Sequence, residues 1–435
     1  MPRTGRPWQT ECARLVRVRV LISHAYSTDN KGDAALLDVL VGDIRRQYGS
    51  DTAIDILTID EIAEGAMFAD APLHEAFMYY ALNRPRTRIG KLVYATTMMS
   101  YTLLWAWVYR LLRVQLPLPG RIREVARLYL RSDMVITVGG GYFRTSGDMV
   151  TFVNLLLMLH PLRLAELLRK PTYLYTMSVG PFYHDIERRL VAARFRHAGL
   201  VLIREDTSLD LLGSIGVEQN VRRAVDSGFA FRADESAGLR THIGVDASRT
   251  LVGVTARKWM DAAAQDHYEQ AMADALDGIV ERHNVDIVFI PQVTSTHNHD
   301  DDRQVSRSIA NRMTHVSEVH VMEDEYTHRD VKAMYDELDY IIGTRFHSVI
   351  FSLTSYVPAI AIEYEHKTSG IMRDLDLSQW TLKIEDVRAD RIETLFDELV
   401  AHGDDYKAQL EARLPAYIAR AEEAIVLVDE QYRQR

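Results

Sequence analysis

The strongest constraint on the fold is a repeated alternation of short β-branched runs, each ending in polar residues or glycine, with segments of helical composition. It occurs in two series along the 435 residues. Strands separated by helical crossovers predict mostly parallel sheets, because a parallel partner is reached only by a long connection. The first series comprises residues 15–23, 53–59, a strand within 133–143, 171–181, 200–206 and a short run before Asp226. A polar stretch, 231–249, broken by Gly238 and Gly244, reads as an interdomain linker. The second series is 251–256, 285–290, 318–322, 340–342 and 358–364. The chain is also too long for one ordinary core. The expected fold is therefore α/β, with two Rossmann-like domains facing a cleft. The first spans 15–235 and the second 245–400. A charged amphipathic helix follows over 401–435, with Leu410, Leu414, Ile418 and Ile425 as apolar contacts and a kink or break expected at Pro415.

Charge excludes one class of partner. The formal net charge of -10 argues against nucleic acid, whose backbone is bound through an excess of cations. The single cysteine, Cys12, excludes an internal disulfide and a cysteine-rich zinc site. The start of the chain shows no apolar core of a signal peptide, so the expected compartment is the cytoplasm.

The chemistry concentrates at strand ends, where open α/β sheets bind ligands. The strand 340–342 runs through Gly343 to Arg345 and His347, two residues apart and so on one side of an extended segment. The next strand ends in Glu363 and then Lys367. A plainer reading pairs Arg345 with a carboxylate and makes His347 a capping or core histidine. Two consecutive strand ends of this kind favour a site. In the first series, Asn30-Lys-Gly-Asp33 joins a strand to a helix start, an arrangement that offers free N–H groups to an anion or a sugar hydroxyl, or is a simple turn. Gly139, Gly140 and Gly141 follow a strand directly and let backbone approach a ligand. They do not form the GxGxxG pattern, so no nicotinamide or flavin cofactor is expected. Arg204 and Arg257 stand at further strand ends. The cluster His297-Asn-His-Asp-Asp-Asp302 offers metal-ligand types, but reads better as a solvated loop whose acids favour a helix N-terminus; no metal is expected.

One insert breaks the alternation. Residues 92–109 form 18 positions without a formal charge, including Trp105 and Trp107, and 81–131 carries ten Lys or Arg against Glu124 alone. Basic and aromatic composition in an acidic chain suggests a membrane-surface element. A core-covering helix pair with a basic rim and a membrane span are the other readings; four Thr and Ser within 92–109 weaken the span.

In order along the chain, Asn30-Lys-Gly-Asp33, Gly139-Gly-Gly141, Ser178-Val-Gly-Pro181, Arg204-Glu-Asp206, Asp226 before Phe229, Arg257, Arg345-Phe-His347 and Lys367 resemble the signatures of the polysaccharide pyruvyltransferase family. The resemblance covers roughly residues 18–377 and leaves the basic insert outside it. It implies a GT-B-like arrangement and transfer of pyruvate, as a ketal, from phosphoenolpyruvate to two hydroxyls of a polysaccharide sugar or its lipid-linked precursor. Ketal formation must protonate the methylene carbon, which suits His347 as general acid. Arg204, Arg345 and Lys367, with Arg257, would hold phosphoenolpyruvate, with Gly140, Gly141 and Glu363 beside them. Asn30 and Asp33 would orient the acceptor, Asp33 serving as base. Phosphoenolpyruvate is then a co-substrate and no cofactor is needed. The alternatives are a GT-B glycosyltransferase using a nucleotide sugar and a non-catalytic glycan-binding protein of the same fold.

Overall fold

The structure is a computed structural model that describes residues 18–58, 71–77, 87–233, 238–295, 300–365 and 367–435. His297 and His299 lie outside these residues, as do Arg84 and Arg86 of the insert.

In chain order the first sheet contains β1 (Arg19–Ala25), β2 (Ala53–Thr58), β3 (Leu73–Glu75), β4 (Met134–Thr137), β5 (Gly140–Phe143), β6 (Thr172–Val179), β7 (Leu200–Ile203) and β8 (Val221–Arg223). Their spatial order is β3-β2-β1-β4-β6-β7-β8, with β5 beside β6, and all pairs are parallel. The register sets Val20 between Ile54 and Met134. The second half contributes β9 (Leu251–Thr255), β10 (Asp286–Phe289), β11 (Thr294–Ser295), β12 (Asp300–Asp301), β13 (Val319–Val321), β14 (Tyr340–Gly343), β15 (Ala359–Glu363) and β16 (Thr381–Lys383). Six of these form a parallel sheet ordered β13-β10-β9-β14-β15-β16, and β11 and β12 make a small antiparallel pair. Every residue of β6, β9 and β10 is buried, as parallel strands covered on both faces require. The strands not expected from the sequence, β3, β5, β11, β12 and β16, are two to four residues long. They are too short to show a period.

The Lys31–Tyr48 helix ties the two halves together. Leu36, Leu37, Leu40, Val41 and Ile44 pack into the first sheet's core with Val20 and Ile56. Ala35 and Val39, on another face, enter a core with Leu251, Val288 and Ile341 of the second sheet. The segment after Asp226 also belongs to that second core. Phe231 and Leu239 are buried in it, and the Glu337 carboxylate accepts from the N–H groups of Leu239 and Arg240 at 3.0 Å each.

The chain's end differs from expectation. The Gly403–Glu422 helix continues without a break through Pro415, because Leu410, Leu414, Tyr417 and Ala421 form one buried stripe on both sides of it. Burial of that stripe outweighs one lost backbone bond. The break comes at Glu423. The Ala424–Arg433 helix then crosses to the first sheet, where Ala424, Ile425 and Val428 are buried with Leu36 and Tyr175.

The insert forms helices Arg88–Leu112 and Gly120–Arg131, and the first packs against the Met149–Leu167 helix. Thr102 Oγ1 meets His160 Nε2 at 2.8 Å across that contact. Trp105 is buried in the core beneath, whereas Trp107 is 52% exposed. Two residues apart on a helix, the pair points to opposite sides. Among the described residues only Met149–Leu167 is long and apolar enough to cross a membrane, and half of its apolar window is buried in the fold.

Candidate functional site

The carboxyl ends of both sheets face one cleft of about 430 Å³. His24 stands at the end of β1, with Asn30 and Asp33 after it; after β4 come Gly139, Gly140 and Gly141; after β7, Arg204. From the second half come Arg257 after β9, Gln292 and Val293 after β10, Arg345, Phe346 and His347 after β14, and Tyr364, Glu365 and Lys367 after β15.

The sides are pinned together at the cleft floor. Lys31 N donates to Gln292 O at 2.9 Å and Thr294 N to Asp29 O at 3.1 Å. Asn30 caps the first helix, its Oδ1 accepting from Gly32 N at 3.1 Å and Asp33 N at 3.3 Å. That cap sets Asp33 in the first turn and brings Gly32 against His347. A Cβ on Gly32 would lie 2.0 Å from His347 Nδ1, so only glycine admits the imidazole there. Gly228 closes the other side, with His347 Cδ2 3.5 Å from where its Cβ would stand. His347 Nε2 is buried and has no hydrogen-bond partner among the described residues.

Arg345 and His347 do reach one pocket, but not by strand alternation. β14 ends at Gly343, Arg345 is the N-cap of the Phe346–Thr354 helix, and His347 sits in its first turn. Arg345 is also more engaged than a free anion-binding cation. Its Nε donates to Asp302 Oδ2 at 3.0 Å and its Nη2 to Asp300 Oδ1 at 2.6 Å and to Asp302. Asp302 is itself fixed by the N–H groups of Gln292 and Val293, 3.0 Å each. The aspartates of the His297–Asp302 run thus act as counter-ions: Asp300 and Asp302 for Arg345, and Asp301 for Arg303 at 2.9 Å. No group of three metal-ligating side chains occurs among the described residues.

Arg204 is buried, donating from Nε to Ser178 Oγ at 2.7 Å and from Nη1 to Asp226 Oδ2 at 2.5 Å. Its Nη2 borders the space in front of Gly141, 3.9 Å from where a Cβ would stand. Arg257 lies over the rings of Trp259 and Tyr364, with its Cζ 4.6 and 4.4 Å from their centroids. Its Nε is buried without a hydrogen-bond partner among the described residues, and its nearest acid is Asp300 at 3.8 Å. Lys367 Nζ is 2.8 Å from Glu365, which also accepts from Arg144 of the first half. Glu363 is not among the cleft-lining residues; its Oε1 accepts from Ser369 Oγ at 2.8 Å. The carboxylate at this edge is Glu365, because the backbone leaves the strand after Glu363 and its alternation stops. Arg144 and Tyr364 also line the cleft without any sequence motif to point to them.

The titrating groups are pushed apart. Burial raises the Asp33 carboxyl to about 6, against the pull of Lys367, Arg204 and Arg345. Burial lowers the His347 imidazole to about 4; Asp226 opposes that shift, and Arg204 and Lys367 add to it. Burial alone would raise the Tyr364 phenol, yet Lys367, Arg257 and Arg345 outweigh it and hold it below its ordinary value. A pair of groups with opposite shifts in one cleft is the usual mark of acid–base chemistry.

The fold is shared with solved structures of sugar enzymes. A putative UDP-N-acetylglucosamine 2-epimerase from Listeria monocytogenes aligns with a TM-score of 0.61 at 14% identity, over 96% of this chain and 97% of that one. Sucrose-phosphate synthase from Thermosynechococcus elongatus aligns at 0.58 and 9% identity, over 96% and 99%. At these identities the likeness establishes a GT-B-like fold alone. The amylovoran biosynthesis protein AmsJ of Erwinia amylovora is 24% identical over 377 residues, which is 83% of this chain and 87% of AmsJ. The family model for polysaccharide pyruvyl transferases matches residues 30–366, from the Asn30 cap to the residue before Lys367, and the chain belongs to that family.

Proposed function

We propose that the protein transfers pyruvate from phosphoenolpyruvate to two hydroxyls of one sugar, as a ketal, on a cell-envelope polysaccharide or its lipid-linked precursor in the cytoplasm. The observation that carries this reading is His347 Nε2, a buried nitrogen with no hydrogen-bond partner among the described residues, in a cleft bordered by Arg204, Arg257 and Lys367. An imidazole with a partnerless nitrogen, on the lining of a site rich in N–H donors, suits a substrate with a carboxylate, a phosphate and a carbon to be protonated.

In this reading Arg204 Nη2, Arg257 Nε and Lys367 offer donors to the two anionic groups, and Arg345 adds charge from behind its aspartates. The imidazole is neutral near pH 7 in a cleft lined by cations. The substrate's negative charge beside it raises its proton affinity, so the acid forms where the substrate is bound. His347 then delivers a proton to the methylene carbon and C2 becomes oxocarbenium-like. The first sugar hydroxyl adds to C2, its proton passing to Asp33. Phosphate leaves with the C2–O electrons, and the second hydroxyl closes the ketal. Of the two hydroxyl protons, one replaces the proton given to the methylene carbon and the other leaves with phosphate, so the step balances.

His347→Ala is expected to lower kcat by about 10²- to 10⁴-fold with an unchanged melting temperature. Retained turnover would remove the assigned role. A nucleotide-sugar transferase remains the rival reading. It predicts thermal stabilisation by UDP-sugars and none by phosphoenolpyruvate, the reverse of the result expected here.

A further inference from the structure

The Arg88–Leu112 helix leaves one face without a protein partner among the described residues. Ile89, Val93, Leu104, Trp107 and Leu111 recur along it at helical spacing and are 49–78% exposed. Thr96, in the middle of the stripe, donates its hydroxyl to Leu92 O at 2.8 Å, so its removal from water strands no hydrogen bond. Arg110 and Arg113 are exposed at the end of this face, and with Lys91 and Arg127 they form no ion pair among the described residues, whereas Arg121 and Arg131 are spent on Glu75 and Asp55. A second exposed apolar group lies at the cleft rim: Met149, Val150, Tyr183 and Ile186 are 72, 70, 58 and 52% exposed. Ser146 and Thr151, which flank Met149 and Val150, line the cleft, and the Tyr183 ring packs over Gly147. The Met149–Leu167 helix joins the two groups, since its first residues form the rim and its body backs the Arg88–Leu112 helix.

We propose that this surface docks on an anionic lipid bilayer and so holds the first-half side of the cleft against the membrane, where a lipid-linked saccharide enters. Charge complementarity selects the occupant. A chain of net charge -10 concentrates ten Lys or Arg against one Glu over residues 81–131 of its sequence, and Arg110 and Arg113 of these are exposed beside the apolar stripe. Aromatic and aliphatic side chains entering the headgroup boundary with cations meeting anionic lipid is the signature of an interfacial helix. Trp105 takes no part, being buried in the core, and the half-buried Met149–Leu167 helix remains within the fold. Only the identity of the lipid-linked acceptor rests on the pyruvyltransferase reading; the lipid contact stands apart from it.

The experiment is cosedimentation of the full chain with vesicles of phosphatidylcholine, with and without phosphatidylglycerol, at low and high salt and without phosphoenolpyruvate or acceptor. Binding is expected to phosphatidylglycerol vesicles at low salt and to fall at least tenfold in high salt, where surface charges are screened. The variants Trp107→Ser/Leu111→Ser, Arg110→Ser/Arg113→Ser and Met149→Ser/Val150→Ser each alter exposed residues and are expected to weaken binding at least fivefold with unchanged melting. No binding, equal binding to neutral vesicles, or variants that bind like the parent would overturn the proposal. So would a concentration-dependent dimer that the same variants dissociate, since a second copy would then cover the face. Because the readout is vesicle binding, failure of catalysis leaves this result intact and the reverse also holds.

Discussion

His347 and Asp33 face each other's domain across a single glycine, and the cleft sets their proton affinities in opposite directions. The Asp33 carboxyl binds its proton more tightly in the folded chain, at about 6, than its ordinary value of 3.8. Folding therefore loses stability as pH rises from roughly 4 to 6, and the full penalty persists above 6. Each tenfold change in proton affinity is worth about 1.4 kcal/mol, so the penalty is at most about 3 kcal/mol, and less for a side chain that water partly reaches. Asp33→Asn is thus expected to melt higher than the parent at pH 8 and alike at pH 3.5 to 4, while losing activity. If Asp33 is the base, kcat/KM of the parent falls below about pH 6 and the limb is absent in the residual activity of the variant. Equal melting at both pH values, or a limb that survives the substitution, would contradict the assignment. Arg204 and Asp226 show a different kind of dependence. Their pair is buried, so removing either partner strands a charge and costs about 3–5 kcal/mol, which makes loss of function there hard to read as catalysis.

At the scale of elements, the helix start at Asn30 does most of the positioning. Gly32→Ala within a helix would ordinarily stabilise it by about 0.5–1 kcal/mol. Here the added methyl would lie 2.0 Å from His347 Nδ1, so the histidine or the helix start must move. The expected outcome is a folded protein with turnover reduced at least a hundredfold, checked by a thermal melt and a phosphate-release assay on the same sample. Normal turnover would show that the imidazole has room to shift without losing its role. The sequence revealed which strand ends carry chemistry, because alternation and strand-end glycines are local patterns. It did not reveal that Asp300 and Asp302 neutralise Arg345, since those pairings span 45 and 43 residues and a sheet edge. Nor did it separate Glu363 from Glu365, because a two-residue period says nothing once the backbone leaves the strand. Trp105 and Trp107 were legible in principle: read at helical spacing, two residues apart, they could not share a lipid-facing side.

Over the whole molecule, two parallel sheets meet at their ligand-binding ends, and several joints keep them together. The Lys31–Tyr48 helix enters both cores, the last helix crosses back to the first sheet, and Asn30 pairs as a bridge with Val293 at the cleft floor. The two-series arrangement could be read from strand order, but these joints could not, because they rest on which face of a helix meets which core. Such an arrangement suits one ligand from each side, a donor held by the cations of both halves and an acceptor entering beside the rim. Its most direct test is mass spectrometry of hexosides with vicinal and 1,3-related hydroxyl pairs, incubated with the protein and carbon-13-labelled phosphoenolpyruvate. The expected result is a labelled product heavier than the acceptor by one pyruvate less one water, with one phosphate released per product and both formed at least about a hundredfold more slowly by His347→Ala. Phosphate release without labelled glycan, or turnover with a nucleotide sugar and none with phosphoenolpyruvate, would contradict it.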